Sequence, residues 1–292
     1  MPSRAISTGA WGASCALALG AAACSVDTRS YTADSDTGST HAFITVERHA
    51  SMDGAELANA LVAFVRIPAS VDAQSAVRLV GFDAELPAMG QCSTDEQERS
   101  NSPPLNPLGR VEFLDAGDVY VRTDHAELKL APHAFPTVTD LISGVVYATR
   151  DREAAPLPAE AAYGVDASGG FELDGIRISG IAPAMLEEVR VAGVEFGAHV
   201  ALPPGTPLDL TWAPGKPDDV VYAEFSNARG DRMVVCTFAD EAGAGTLPVG
   251  SNQTSGQLTL HRLHVESPAV SFVGQAQLRF DFQVSAPVSF AR

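Results

Sequence analysis

The sequence predicts an all-β protein made of antiparallel β-sandwich-like domains, two of them in tandem. Three observations lead there. Short runs of β-branched and aromatic residues alternate with polar ones at period two, turn residues interrupt them at short intervals, and no helical crossover between parallel strands is readable. Hydrophobic residues make up 46% and charged residues 19%, near the globular average, so the chain can bury a core. A length of 292 residues suits one or two domains.

Strands begin near His41. In residues 42–48 (AFITVER), Ile44 and Val46 share one face and Thr45 and Glu47 the other. After Asp53, a candidate N-cap, Leu57, Leu61 and Phe64 fall at helical spacing, which predicts a short helical turn followed by a strand over 61–67. Residues 77–82 predict another strand, ahead of a polar loop (91–106) that holds Cys92 and two prolines, Pro103 and Pro104. Residues 110–123 contain two alternating runs around Asp115-Ala116-Gly117-Asp118, the pattern of a tight hairpin. Residues 127–130 and 141–149 follow as strands, with Pro132 and Pro136 marking the turn between them.

The composition then changes. Residues 151–162 carry charge, alanine and two prolines without a β-branched side chain, so a linker there would separate a β-rich domain at 41–150 from a β-sandwich domain at 163–292. In the second half, 171–173, 176–181 and 189–196 read as strands, and 208–212 alternates up to Trp212. Runs at 220–225 and 233–238 flank a turn from Asn227 to Arg232 and form the clearest hairpin in the chain. Strands at 257–265, 271–273 and 276–290 complete the set. In the last, Leu278, Phe280 and Phe282 share a face with Val284, and Arg279, Asp281 and Gln283 take the other.

Residues 1–23 hold one basic residue, Arg4, then an uncharged Ala- and Leu-rich run that stops short of the roughly 20 strongly apolar residues of a bilayer-spanning helix. They read as a signal peptide. Ala21-x-Ala23 fits ordinary secretory cleavage, while Ala21-Ala22-Ala23-Cys24 resembles the lipobox of bacterial exported lipoproteins, with alanine where that motif usually has leucine. The resemblance implies a lipid on Cys24 and a place in the bacterial cell envelope, at the outer membrane or on the periplasmic face; plain secretion is the alternative. It covers residues 1–24 alone. Residues 24–40, rich in Ser, Thr and Asp, then form a flexible tether.

A formal charge of −17 and only two lysines, Lys129 and Lys216, argue against a nucleic-acid partner, which needs clustered cations. With Cys15 removed and Cys24 lipidated, Cys92 and Cys236 remain. An oxidising compartment would let them pair, whereas Cys236 alternates with Val234 and Phe238 as a buried thiol would; both states stay open.

No G-x-S-x-G, H-E-x-x-H or phosphate-loop pattern occurs, so neither a catalytic residue nor a metal ligand is assigned. His261 and His264 would share a face on a helix, but on a strand they point to opposite sides. Arg229-Gly230-Asp231 matches the adhesion tripeptide and equally suits a turn. The acids Asp218, Asp219, Asp231, Asp240 and Glu241 bracket the hairpin, where loop carboxylates can hold Ca²⁺ or simply cap turns. Trp212 reads as core; exposed, it would form a ligand surface with Asp218 and Asp219. The favoured function is a non-catalytic lipid-anchored envelope protein that touches the membrane through its lipid and presents a structural or binding module to a protein or glycan. The alternatives are an extracellular carbohydrate- or calcium-binding module accessory to an enzyme, and a hydrolase with a carboxylate site. No cofactor other than Ca²⁺ is expected.

Overall fold

The computed structural model describes residues 38–69, 77, 82, 86–94, 111–138, 142–150, 157–203, 207–250, 253–271 and 273–290. The signal segment, Cys24 and most of the tether lie outside the described residues, as do residues 151–156 of the linker and Pro103 and Pro104 of the polar loop. The strands are β1 (Ser39–Ser51), β2 (Glu56–Ile67), β3 (Cys92–Ser93), β4 (Val111–Phe113), β5 (Val119–Arg122), β6 (Glu127–Lys129), β7 (Ala131–Val138), β8 (Ile142–Ala148), β9 (Ala162–Ala167) and β10 (Ile176–Ile181). They continue as β11 (Arg190–Val191), β12 (Val194–Glu195), β13 (Val200–Leu202), β14 (Leu208–Thr211), β15 (Val220–Asn227), β16 (Arg232–Ala239), β17 (Ala244–Leu247), β18 (Ser255–Glu266) and β19 (Gln275–Phe290). No helix among the described residues is long and apolar enough to cross a membrane.

The fold is an all-β sandwich built on one long mixed sheet. Its order is β3-β16-β15-β18-β19-β1-β2-β4-β8-β7, with β13 added alongside β19. Two four-stranded sheets, β10-β9-β5-β6 and β12-β11-β14-β17, complete the second layer. The long strand β19 links two cores. Its Leu278, Phe280 and Phe282 pack with Val46, Val62, Phe64, Val121, Tyr163 and Val165, while its Val284, Ala286 and Val288 pack with Leu208, Leu210, Trp212, Val221 and Leu260. The period-two face of this strand therefore serves both halves, each buried Leu or Phe contributing about 1.5–3 kcal/mol.

This continuity differs from the two separate domains expected. β1 pairs parallel with β19, from His41↔Gln275 to Ser51↔Ser285, and residues Asp36–Arg292 form one compact unit. Parallel neighbours need a long crossover, and here almost the whole chain supplies it, where the sequence had suggested only antiparallel pairs. The expected tether is also shorter, since Ser39 and Thr40 already belong to β1.

Local differences have local causes. Residues 56–67 are strand throughout, because Ala58, Ala60, Val62 and Phe64 enter the core at period two; Asp53 caps the preceding turn by accepting a bond from Ala55 N at 3.2 Å. The Asp115–Asp118 segment is no hairpin. β4 belongs to the long sheet and β5 to a small one, and the chain arches between layers with Leu114 and Ala116 buried and Gly117 at φ +72°. Tyr147 Oη pins that arch, accepting from Ala116 N and donating to Asp115 Oδ1, both at 2.8 Å. Pro132 and Pro136 lie within β7 rather than in a turn, which is tolerated because β7 is a sheet edge. Residues 171–173, Ser271 and Val273 are not in strands, and Phe171 is fully exposed.

Cys92 and Cys236 are directly paired residues of β3 and β16 and form a disulfide. The turn between β15 and β16 is organised by Asn227, whose Oδ1 accepts from Arg229 N (2.8 Å) and Asp231 N (3.1 Å) and whose Nδ2 donates to Asp231 Oδ2 (2.9 Å). Gly230, at φ +86°, supplies the left-handed position. The Arg-Gly-Asp tripeptide is thus part of the turn's own bonding.

Candidate pocket at the junction of the three sheets

A pocket of about 370 Å³ opens where the three sheets meet. It is lined by Glu160, ahead of β9, by Ile181, Ala182 and Ala184, at and after the end of β10, and by Pro214, Gly215 and Lys216, after β14. Asp219, just before β15, and Arg262, on β18, form its inner wall.

Arg262 is 2% exposed and Asp240 is wholly buried. The guanidinium meets the carboxylate in a fork, Nε to Oδ2 at 2.7 Å and Nη2 to Oδ1 at 3.0 Å. Its remaining hydrogens reach backbone carbonyls: Nη1 donates to Met185 O (2.9 Å) and Nη2 to Ala213 O (2.7 Å). Trp212 Nε1 also donates to Asp240, to Oδ1 at 2.8 Å and to its carbonyl at 3.1 Å. The group ties both small sheets to the long one. Gly215 passes so close above it that a Cβ there would collide with the Asp240 carboxylate.

A second chain of polar groups lies beside it. Asp219 Oδ1 is 2.6 Å from His264 Nδ1, and His264 Nε2 is 3.2 Å from Glu266 Oε1, which also accepts from Ile181 N at 2.9 Å. Asp219 is 2% exposed, and no described residue bonds its Oδ2. Arg262 Nη1 and Nη2 are spent on protein partners and its Nε lies 2.7 Å from Asp240 Oδ2, so the pocket's remaining bonding capacity comes chiefly from Asp219, Glu160 and Lys216.

Of the ligand surface considered from sequence, Asp219 lines the pocket, Asp218 is exposed next to it, and Trp212 is 4% exposed with its N–H bonded inward. Trp212 therefore offers a ligand no face. The loop acids are not gathered together: Asp240 faces Arg262, Asp219 faces His264, and Asp231 closes its own turn. Among the described residues no group of three His, Cys, Asp or Glu side chains is placed to hold a metal ion. Arg262 and Lys216 were not singled out from sequence. A signal existed in His261-Arg262-Leu263-His264, which puts ionisable side chains on both faces of a strand whose Leu258, Leu260 and Leu263 are core. Both faces are covered, so each such group must meet a partner.

No family model matches the chain, and no curated protein does. Among solved structures it is compared with chicken CNTN1 FN1-FN3 domains at 13% identity and TM-score 0.19, spanning 59% of this chain and 60% of that one. A second is the Fcho1 Mu homology domain of Danio rerio with bound Eps15 peptide, at 12% identity and TM-score 0.23, spanning 86% and 96%. Scores this low carry no argument about this chain.

Proposed function

We propose that the chain is a non-catalytic module of the bacterial cell envelope, anchored by a lipid on Cys24 and presenting its β-sandwich body for binding. The Cys92–Cys236 disulfide is the observation that carries this reading, because such bridges persist in oxidising compartments outside the cytosol. The lipobox-like Ala21-Ala22-Ala23-Cys24 agrees with it. Binding rather than chemistry is supported by the pocket, whose described lining includes no hydroxyl, thiol or imidazole and whose one guanidinium is held by Asp240 and by backbone carbonyls. Buried Trp212 gives a sugar no stacking platform, which weighs against the carbohydrate module. Fractionation of cells expressing the protein and its Cys24→Ala variant tests the anchor: the wild type should follow the membrane and the variant the soluble fraction, and a variant that stays in the membrane contradicts lipidation.

A second reading has one observation in its favour. Glu160 and Asp219 line the same pocket, and a carboxylate hydrolase needs two acids facing one substrate. Turnover of aryl glycosides, lost in both Glu160→Gln and Asp219→Asn, would favour the hydrolase over the binding module.

A further inference from the structure

We infer that the pocket binds a small zwitterion, with its ammonium group at Asp219 and Glu160, its carboxylate at Lys216, and its apolar part against Ile181, Ala184 and Pro214. The inference deepens the binding reading above and rests on it. Asp219 is 98% removed from solvent, and one carboxylate oxygen is spent on His264 while the other has no bond among the described residues. A carboxylate oxygen with spare capacity in the pocket lining can take a donor, and a protonated amine supplies a charge-assisted one. Glu160, at the mouth, adds a second negative charge and is held there by an unusual backbone. Its φ is +54°, a left-handed conformation that a non-glycine residue adopts at a cost, and its N–H is fixed on Pro183 O at 3.1 Å.

Lys216 supplies the opposite sign. The chain has two lysines, and the other, Lys129, is 2.7 Å from Asp118 Oδ1. Lys216 lines the pocket with no ion-pair partner among the described residues. A simple anion would find two acids in the same pocket as this lysine, and a simple cation would find the lysine in the same pocket as its acids; a molecule carrying both charges satisfies each. Arg262 does not compete for the ligand's carboxylate, because Asp240 and three backbone carbonyls already occupy it. The volume, about 370 Å³, is near the small end of ligand pockets and suits a free amino acid better than a folded partner.

Calorimetric titration of the purified full-length protein with L-leucine and 6-aminohexanoate, zwitterions of short and long charge separation, tests this against hexylamine and hexanoate, which keep one charge each. At least one zwitterion should bind about tenfold more tightly than both singly charged probes. Lys216→Ala, an exposed substitution that leaves the fold intact, should bring that zwitterion down to the level of hexylamine; Glu160→Gln should weaken it as well. If neither zwitterion exceeds the singly charged probes, or if Lys216→Ala leaves its affinity unchanged, the inference is overturned. The same titration on Cys24→Ala should give an unaltered affinity, so failure of anchoring and failure of binding are seen separately.

Discussion

His261 and His264 leave the same strand in opposite directions, and each meets a buried aspartate through Nδ1: His261 meets Asp281 Oδ1 at 2.8 Å and His264 meets Asp219 Oδ1 at 2.6 Å. The second pair backs the pocket. The first lies on the far face of the long sheet, where the His261 ring stacks on Tyr222 with centroids 4.0 Å apart. One strand thus wires two independent polar sites, and they respond to different perturbations.

The far-face site sets a pH dependence. Asp281 receives His261 at 2.8 Å, Tyr222 Oη at 2.6 Å and Arg279 Nη2 at 2.7 Å. Burial pushes the Asp281 carboxyl up, but His261, Arg279 and Tyr222 together outweigh burial and hold it down at about 2. Burial likewise pulls the His261 imidazole down, and the hydrogen bonds and charges of Asp281 and Glu224 outweigh that and keep it above its ordinary value. A depressed carboxyl contributes stability above its unfolded pKa of about 4 and loses it as pH falls toward the folded value. A raised imidazole contributes below about 6.5 and loses its contribution as pH rises through the folded value. Urea midpoints should therefore be highest between about pH 4 and 6.5 and decline on both sides. Asp281→Asn should flatten this profile relative to the wild type; parallel profiles would assign the pH dependence to other groups.

The Arg262–Asp240 pair answers to charge removal. Arg262→Met leaves a carboxylate at zero exposure without its guanidinium and frees the carbonyls of Met185 and Ala213, so a loss of about 3–5 kcal/mol is expected. Removing both charges as Arg262→Met with Asp240→Leu should cost less than the sum of the two single changes, because no lone buried charge remains. Urea titrations of the four proteins give the coupling directly, and strict additivity would mean that the pair makes no special contribution.

Glycine at 215 is a steric requirement rather than a matter of flexibility. A methyl group there would meet the Asp240 carboxylate and come within 3.1 Å of Arg262 Cζ. Gly230, at the tip of the β15–β16 turn, has nothing within 4 Å of the same added atom. Gly215→Ala should cost about 1–3 kcal/mol through displacement of the ion pair, and it should also weaken ligand binding. Gly230→Ala should cost only the strain of a left-handed alanine, about 1 kcal/mol, and leave binding unchanged. Equal effects of the two on binding would contradict the steric argument.

Strand positions and facing were largely legible because period-two alternation is a local signal. It placed Leu278, Phe280 and Phe282 inside and separated His261 from His264, as the structure has them. What alternation cannot report is which sheet a strand joins. The Asp115–Asp118 segment has the residues of a hairpin but turns between layers, since the choice depends on Tyr147, about thirty residues away, holding the arch. The pocket was illegible for the same reason. Its acids, Lys216 and Arg262 lie on segments that converge only when β18 pairs with β15, and the sequence alone gives Asp219 and Asp240 the look of turn residues.

The disulfide gives the last prediction. Cys92 and Cys236 are 144 residues apart in sequence, and β3, the two-residue strand that carries Cys92, is the edge of the long sheet beside β16. So short a strand gains little from its own ladder bonds, and the covalent link keeps it on that edge. Closing a loop of this length restricts the unfolded chain by about 4–5 kcal/mol in the chain-entropy model. Replacing both residues, Cys92→Ala with Cys236→Ala, should lower the unfolding free energy by a corresponding amount and steepen the urea slope, because the unlinked unfolded chain exposes more surface. Cys236 is fully buried in the second core, so part of the loss there is packing; Cys92→Ala alone, which keeps the Cys236 sulfur in place, isolates the contribution of the link. Alkylation of the protein unfolded in denaturant without reductant should leave both cysteines unlabelled, and reduction should expose two. Two labelled thiols before reduction would show that the bridge is not formed.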